Sequence, residues 1–441
     1  MEGSNGCGGL LHLEGPWTRG RGKRDMVRVV LALLAAVVLA LGPAAFGAPA
    51  PVKIGVILPL TGNAAGAGQS AKAAIEVAGE IVNNPHPEMA RILLTAKAGL
   101  PRLGGAKIQL IFADSQGNPS VGQSEALRLI TQEKVVAIEG AYQSNVTLPA
   151  TTVAERYGIP WLVGDSSSAN ITGRGFKWVF RTTFVGWQIA KTYMEFLADV
   201  AKTGHPVKTV AIVNENTEYG TNTGGAILDA AKEHGYQIVA RTPYNANARD
   251  VSAEVLQLRE KNPDVVIFVS YTSDAILFMK TFQSLGYHPK MVMAEDAGFS
   301  DPAFASNVGS IAQGAVNRSA WSAGKQGSPT YRINELYKAK TQRDLDDNSA
   351  RDLQGFLVLA DAINRAGSTK PDAIREALAA TNVTSKQMII GFKGVRFDKT
   401  GQNVLTSTYI TQLVGGAYLV VWPKAAAEHA LIYPFMGAAS K

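Results

Sequence analysis

The sequence predicts an α/β protein of two similar lobes in series, and three observations predict it. Short apolar runs alternate with segments of helical spacing, the alternation restarts after Arg181, and 441 residues exceed what one ordinary core accommodates. Strand-like runs at 53–60, 107–113, 135–139, 160–163 and 178–181 are separated by helical spacing at 70–82, 120–133 and 147–157. Continuous apolar strands alternating with helices argue for a parallel sheet covered on both faces. The second round opens with a helix at 189–201; strands at 209–213, 237–241, 265–269 and 291–293 come next, interleaved with helices at 221–234, 251–260 and 273–285. Further on, 349–366 and 372–380 read as helices that suit either lobe, and 395–421 as antiparallel strand material around the turn Asp398-Lys399-Thr400-Gly401. The stretch 83–105, with Pro85, Pro87 and Pro101, reads as a surface insertion.

The N-terminus reads as a leader. Arg28 precedes an apolar core from Val29 to Leu41, then Gly42-Pro43 and a run of small residues to Ala50. This is the pattern of a secretory signal peptide, because the core is shorter than the ~20 residues that span a bilayer. Cleavage is expected near Gly47 or Ala48, translation is expected to start at Met26, and residues 1–47 form the leader. Its loss lowers the formal charge from +7 to about +5. A mild surplus without a basic run interleaved with aromatics carries no nucleic-acid footprint. The single cysteine, Cys7, lies in the leader. The mature chain therefore has no disulfide, thiol nucleophile or lipid-anchor cysteine, and is expected to be a free, monomeric protein of the periplasm.

Chemistry-bearing constellations are few. Gly66-Ala67-Gly68-Gln69-Ser70-Ala71 fits a dinucleotide fingerprint formally. However, Pro59, Thr61, Gly62 and Asn63 separate it from the strand, and no acidic residue comes on schedule after it. The loop lacks the lysine of a phosphate-binding Walker motif. No histidine pair has zinc spacing, and Gly164-Asp165-Ser166-Ser167-Ser168 has the wrong spacing for a nucleophile elbow. No enzyme, metal or cofactor is expected. Hydroxyl and amide groups do cluster where apolar strands end: Tyr142-Gln143-Ser144-Asn145 after one strand and Asp165-Ser166-Ser167-Ser168 after the next. Strand C-termini form the ligand crevice of a parallel sheet, and serines beside helix N-termini suit a small carboxylate. Helix capping alone is the competing reading of each serine.

Several stretches together resemble the Leu/Ile/Val-binding class of type I periplasmic solute-binding proteins. They are VKIGVILPLTG, FADSQGNPSVGQSEALRLI, IEGAYQSNVTLPATTVAERYGIPWL, ITGRGFKWVFRTT, VAIVNENTEYG and PDVVIFVSYTSDA, and the resemblance runs from about Val52 to Val421. It implies two Rossmann-like lobes joined by three crossovers around a ligand cleft. Lobe 1 would comprise 52–182 plus about 322–392, and lobe 2 would comprise 183–321 plus about 393–441. The implied activity is capture of an amino acid or related small carboxylate or amide by cleft closure, and delivery to an inner-membrane ABC permease. A sensory ligand-binding module is the alternative on the same fold.

Carried over position by position, the resemblance places the ligand carboxylate on Ser144 and Ser167, and the carbonyl that receives its ammonium on Asp165. Tyr271 would close over the ligand, and Glu295 or Asp296 would pair with the ammonium. Arg181, Thr182 and Thr183 fall at the first hinge crossover. Where leucine binders place a tyrosine in the first loop, this chain has Ala67; the late-helix aromatic position falls on Leu353 or Gln354. The side-chain pocket is therefore expected to differ from a leucine site. A ligand without an amine would leave the second-lobe acid's charge uncompensated, which favours an amino acid or amide.

Overall fold

The computed structural model describes residues 49–295, 297–435 and 437. The leader at 1–47, the start at Met26 and Asp296 lie outside the described residues. The first sheet collects β1 (Val52–Leu58), β2 (Ile108–Asp114), β3 (Ala137–Gly140), β4 (Trp161–Val163) and β5 (Val179–Arg181). Their order is β2-β1-β3-β4-β5, and every pairing is parallel. Helices α1 (Ala65–Asn83), α2 (Pro119–Arg128) and α3 (Ser144–Tyr157) connect the strands, and α4 (Gly186–Lys202) comes after the last of them. Asn118 caps α2, its side chain accepting from the Ser120 and Val121 amides.

The second sheet has seven strands in the order β14-β13-β10-β9-β8-β6-β7. They are β6 (Thr209–Glu215), β7 (Gln237–Tyr244), β8 (Val265–Val269), β9 (Val292–Ala294), β10 (Val316–Ser319), β13 (Tyr409–Val414) and β14 (Ala417–Trp422). β6 to β10 run parallel, and the β13–β14 hairpin adds an antiparallel edge. Its turn lies at Gly415-Gly416; the expected turn at Asp398–Gly401 also forms, the Gly401 amide donating to the Asp398 carbonyl at 3.0 Å, but it closes only the isolated antiparallel bridge of Phe397 with Asn403. α5 (Glu218–Glu233), α6 (Ser252–Lys261), α7 (Thr272–Ser284) and the short α8 (Ala297–Ser300) and α9 (Pro302–Val308) surround this sheet.

Three more helices, α10 (Pro329–Thr341), α11 (Asp347–Ala366) and α12 (Pro371–Ala379), then return to the first sheet's side, before the two-residue strands β11 (Val383–Thr384) and β12 (Gly394–Val395) pair with each other. α11 packs on α1 and reaches β3 and β4, while α12 packs on α11. A capping box starts α11: Asp346 accepts from the Ser349 amide at 2.9 Å and Ser349 Oγ accepts from the Asp346 amide at 3.1 Å. Nearly all its residues are buried, so tertiary packing holds it.

Two expectations change here. α1 begins at Ala65, so the Gly/Ala loop is its first turn and a half. Gly68 shows why that segment is glycine-rich, since a Cβ there would sit 2.0 Å from the Pro59 carbonyl oxygen. The insertion after α1 is also more than surface. Met89, Ile92 and Leu100 are buried in the core shared with α1, and the buried Thr95 hydroxyl donates to the Met89 and Ile92 carbonyls at 2.7 and 3.1 Å.

Candidate functional site

The C-terminal ends of strands from both sheets converge on one small cavity of about 20 Å³. β3 leads into Tyr142 and Ser144, β4 into Asp165, Ser166 and Ser167, and β5 into Phe184. From the other sheet come Tyr219 after β6, Tyr271 after β8 and Glu295 after β9, with Ala297 beside it; α11 adds Arg351. Ser144 opens α3, and its hydroxyl accepts from the Ser168 amide at 3.4 Å. This combination of hydroxyls, helix-terminal amides and rings suits a small anionic head group. The Tyr271 ring lies 5.1 Å from that of Tyr219 and 6.0 Å from that of Tyr142, forming an aromatic wall. Burial, with Glu215 nearby, pushes the Tyr271 phenol well up, so it stays protonated.

Behind the cavity runs a buried chain of alternating charges. Asp165 pairs with Arg351, whose Nε reaches Asp347 at 2.9 Å. Asp347 lies 3.7 Å from Arg318, and Arg318 pairs with Glu295 at 3.0 Å. All five side chains are at most 8 % exposed. The Phe184 ring lies under both guanidinia, 3.5 Å from that of Arg318 and 4.9 Å from that of Arg351. Both ends of the chain, Asp165 and Glu295, are carboxylates that line the cavity. Burial raises the Asp165 pKa, partly opposed by Arg351. Glu295 also accepts from the Tyr219 hydroxyl.

Of the residues singled out in the sequence, Ser144, Asp165, Ser167, Tyr271 and Glu295 are brought together at this cavity. Ala67 is not: it is buried in the core as part of α1. Leu353 and Gln354 also face elsewhere, Leu353 into the core and Gln354 to the Ile389 amide at 2.8 Å. The cavity residue of α11 is Arg351. The Asp165 carbonyl accepts from Arg351 at 3.3 Å. The premise that Glu295 lacks a partner until a ligand cation arrives is corrected by its ion pair with Arg318. Arg318, Asp347 and Arg351 were missed by sequence reasoning. Their signal was faint: an arginine in an otherwise uncharged strand, and an i, i+4 acid–base pair opening an apolar helix.

The cavity's lips touch. The loop after β4 reaches α5 through Ser167 Oγ to Thr223 Oγ1 at 3.2 Å, Ser168 Oγ to Glu218 at 2.5 Å, the Ala169 amide to Asn222 at 2.9 Å and Asn170 to Glu218 at 2.8 Å. Arg181, Thr182 and Thr183 lie beside a second strand of chain. Arg181 bonds the Gly401 carbonyl through its amide at 2.8 Å, and Asn403 donates to the carbonyls of Arg181 and Thr182 at 3.0 and 2.9 Å. The buried Arg181 guanidinium donates to Gln402 at 2.6 Å, to the Ser166 and Ser168 carbonyls at 3.1 and 2.6 Å and to Thr172 at 3.0 Å. Burial lowers its pKa to about 9. It thus braces from behind the loop that carries Ser167. No described helix is long and apolar enough to cross a membrane.

Comparison with known proteins places this geometry in context. The family model for periplasmic binding proteins matches residues 51–417. A Leu/Ile/Val-binding protein homolog 8 of Brucella suis is 30% identical over 406 residues, covering 88% of this chain and 95% of that protein. A homolog 7 of Brucella abortus is 29% identical over 411 residues, covering 90% and 97%. Among solved structures, a leucine-binding protein of Thermotoga maritima superposes with a TM-score of 0.71 at 23% identity, covering 83% of this chain and 97% of that one. A solute-binding protein of Rhodopseudomonas palustris, in complex with 3,4-dihydroxybenzoic acid, gives 0.70 at 20% identity, covering 87% and 98%.

Proposed function

The chain belongs to the periplasmic binding protein family, in its Leu/Ile/Val-binding branch, and from that premise we propose that it is the solute receptor of an ABC importer, taking up an amino acid or a related amide. One observation carries the choice of ligand. Among the described residues, the buried ion chain holds three carboxylates and two guanidinia, and both of its ends at the cavity are acidic. An ammonium set between Asp165 and Glu295 supplies the counter-charge that balances the chain's excess buried acid. The ligand's carboxylate then meets Ser144 and Ser167. No covalent chemistry is required of the site, and the receptor acts as a non-enzyme.

On this reading, residues 52–182 with about 322–392 move as one lobe, and 183–321 with about 393–441 as the other. The hinge lies at Arg181–Thr183 and its neighbours. Hydrogen bonds between the lips favour the shut form, which is the form a permease would recognise. The signal-peptide pattern of the sequence supports a mature monomer in the periplasm, which on this reading hands its ligand to the permease. Small-angle scattering of the ligand-stripped protein, with calorimetric titration of amino acids, amides and benzoate, tests this reading. The expected result is a contraction on adding an amine-bearing ligand; an unchanged radius at saturation, or binding of benzoate alone, refutes it.

A further inference from the structure

Beyond an amino acid in general, we propose that the ligand is an amino acid with a short, neutral, hydrogen-bonding side chain, and that Arg351 sets this preference by closing the cavity toward α11. The inference rests on the amino-acid reading above and deepens it.

The cavity offers three kinds of wall. Hydroxyls and amides at Ser144 and Ser167 take the carboxylate, and the paired ends Asp165 and Glu295 take the ammonium. What remains for a side chain is the wall made by Arg351 and Phe184, closed over by the tyrosines. Nine of the eleven lining residues carry a polar side-chain group; only Phe184 and Ala297 do not. In this shut form the cavity leaves only about 20 Å³, room for about one water, so a ligand enters only when the lips part and a long side chain has no place within it.

Arg351 cannot fold aside to admit a branched aliphatic chain. Its guanidinium is held by Asp347 at 2.9 Å, Asn348 at 2.7 Å, Thr183 at 3.1 Å and Asp165. These anchors come from α11 itself, the first crossover and the end of β4, so rotating the side chain would break all of them together. An aliphatic group placed here would cover charged groups without offering a hydrogen bond, which is unfavourable. A hydroxyl or carboxamide offers a donor to the flanking acids, and one Asp165 carboxylate oxygen accepts no hydrogen bond among the described residues. A second carboxylate on the ligand would add negative charge to a chain already ending in two acids. The side chain is therefore neutral as well as polar.

The test is a binding panel on the ligand-stripped mature protein, read by thermal shift and calorimetry. L-serine, L-threonine, L-asparagine and L-glutamine form one arm, L-leucine and L-isoleucine a second, and benzoate a third. The expected result is at least one member of the first arm binding tenfold or more tighter than either branched amino acid. The charge-balanced double variant Arg351→Leu with Asp347→Asn is expected to reverse that order. Leucine or isoleucine binding the parent as tightly as the polar set overturns the inference and leaves the amino-acid reading standing. Benzoate as the sole ligand overturns both, and no binding by any amino acid overturns the inference as well. Because the parent protein alone gives the decisive comparison, a double variant that does not fold does not protect the proposal.

Discussion

Replacing Glu139 with glutamine isolates a strongly perturbed group in the core. Glu139 lies in β3 and is fully buried; among the described residues neither of its carboxylate oxygens accepts a hydrogen bond. It lies against α11 and the turn after β4: a Cβ on Gly164 would come within 2.6 Å of Asp352 and 3.1 Å of Glu139, and one on Gly355 within 2.8 Å of Glu139. Burial, with Asp352 close by, pushes the Glu139 carboxyl well above the usual range. In the unfolded chain it titrates near ~4.3. The folded state therefore binds the proton more tightly. This contribution is fully present below the unfolded value and is lost as pH rises toward the folded one, at up to ~1.4 kcal/mol per pH unit.

Between pH 5 and pH 6 the advantage of Glu139→Gln over the parent in unfolding free energy is expected to grow by about 1 kcal/mol. The amide brings its own unsatisfied donors, costing ~1–3 kcal/mol, but that offset does not vary with pH. The slope is the diagnostic and the intercept is not. Asp165, Glu215 and Asp346 are also raised by burial, Asp346 to about 7, yet they titrate in both proteins and cancel in the difference. Urea unfolding of parent and variant at half-unit intervals from pH 5 to pH 8 measures this. Identical pH slopes for the two proteins would refute the reasoning.

Two further outcomes concern the cavity and its lips. On the proposed reading, Ser144→Ala and Ser167→Ala each remove a cavity hydroxyl that would meet the ligand's carboxylate, and each is expected to weaken binding by about 1.5–3 kcal/mol, more than tenfold, in calorimetric titration; parent-like affinity in both would displace the carboxylate from this end. Glu218→Ala removes the acceptor of both Ser168 and Asn170 and is expected to cost about tenfold in affinity through faster ligand release. Stopped-flow dissociation that matches the parent would show that these lip contacts do not hold the shut form.

Much of this arrangement is legible in the sequence because parallel strands advertise themselves. β8 is an unbroken run of Val, Ile and Phe, and residues just past the C-terminus of a strand in such a sheet are driven to the crevice, so the clusters of Ser144 and Ser167 could be named from local patterns, whereas Tyr271 and Glu295 came from the family resemblance. The ion chain was illegible for the opposite reason. Arg351 meets Asp165 across 186 residues of chain, and an i, i+4 acid–base pair reads equally well as a solvated helix face. Ala67 was misplaced because glycines before a helix suggest a loop, whereas here they let the helix start early against the Pro59 carbonyl.

The packing of α11 on α1 also bears on how the chain can be divided. All five strands of the first sheet are finished by Arg181, yet the helix that covers their apolar flank is supplied from 347–366. A fragment ending after β5 would own a complete sheet but lack the helix that packs on α1, leaving apolar surface open to solvent and to other fragments. The first sheet's coat is therefore completed only by residues far downstream of its last strand, so the sheet cannot be cut from the chain at β5 with its packing intact.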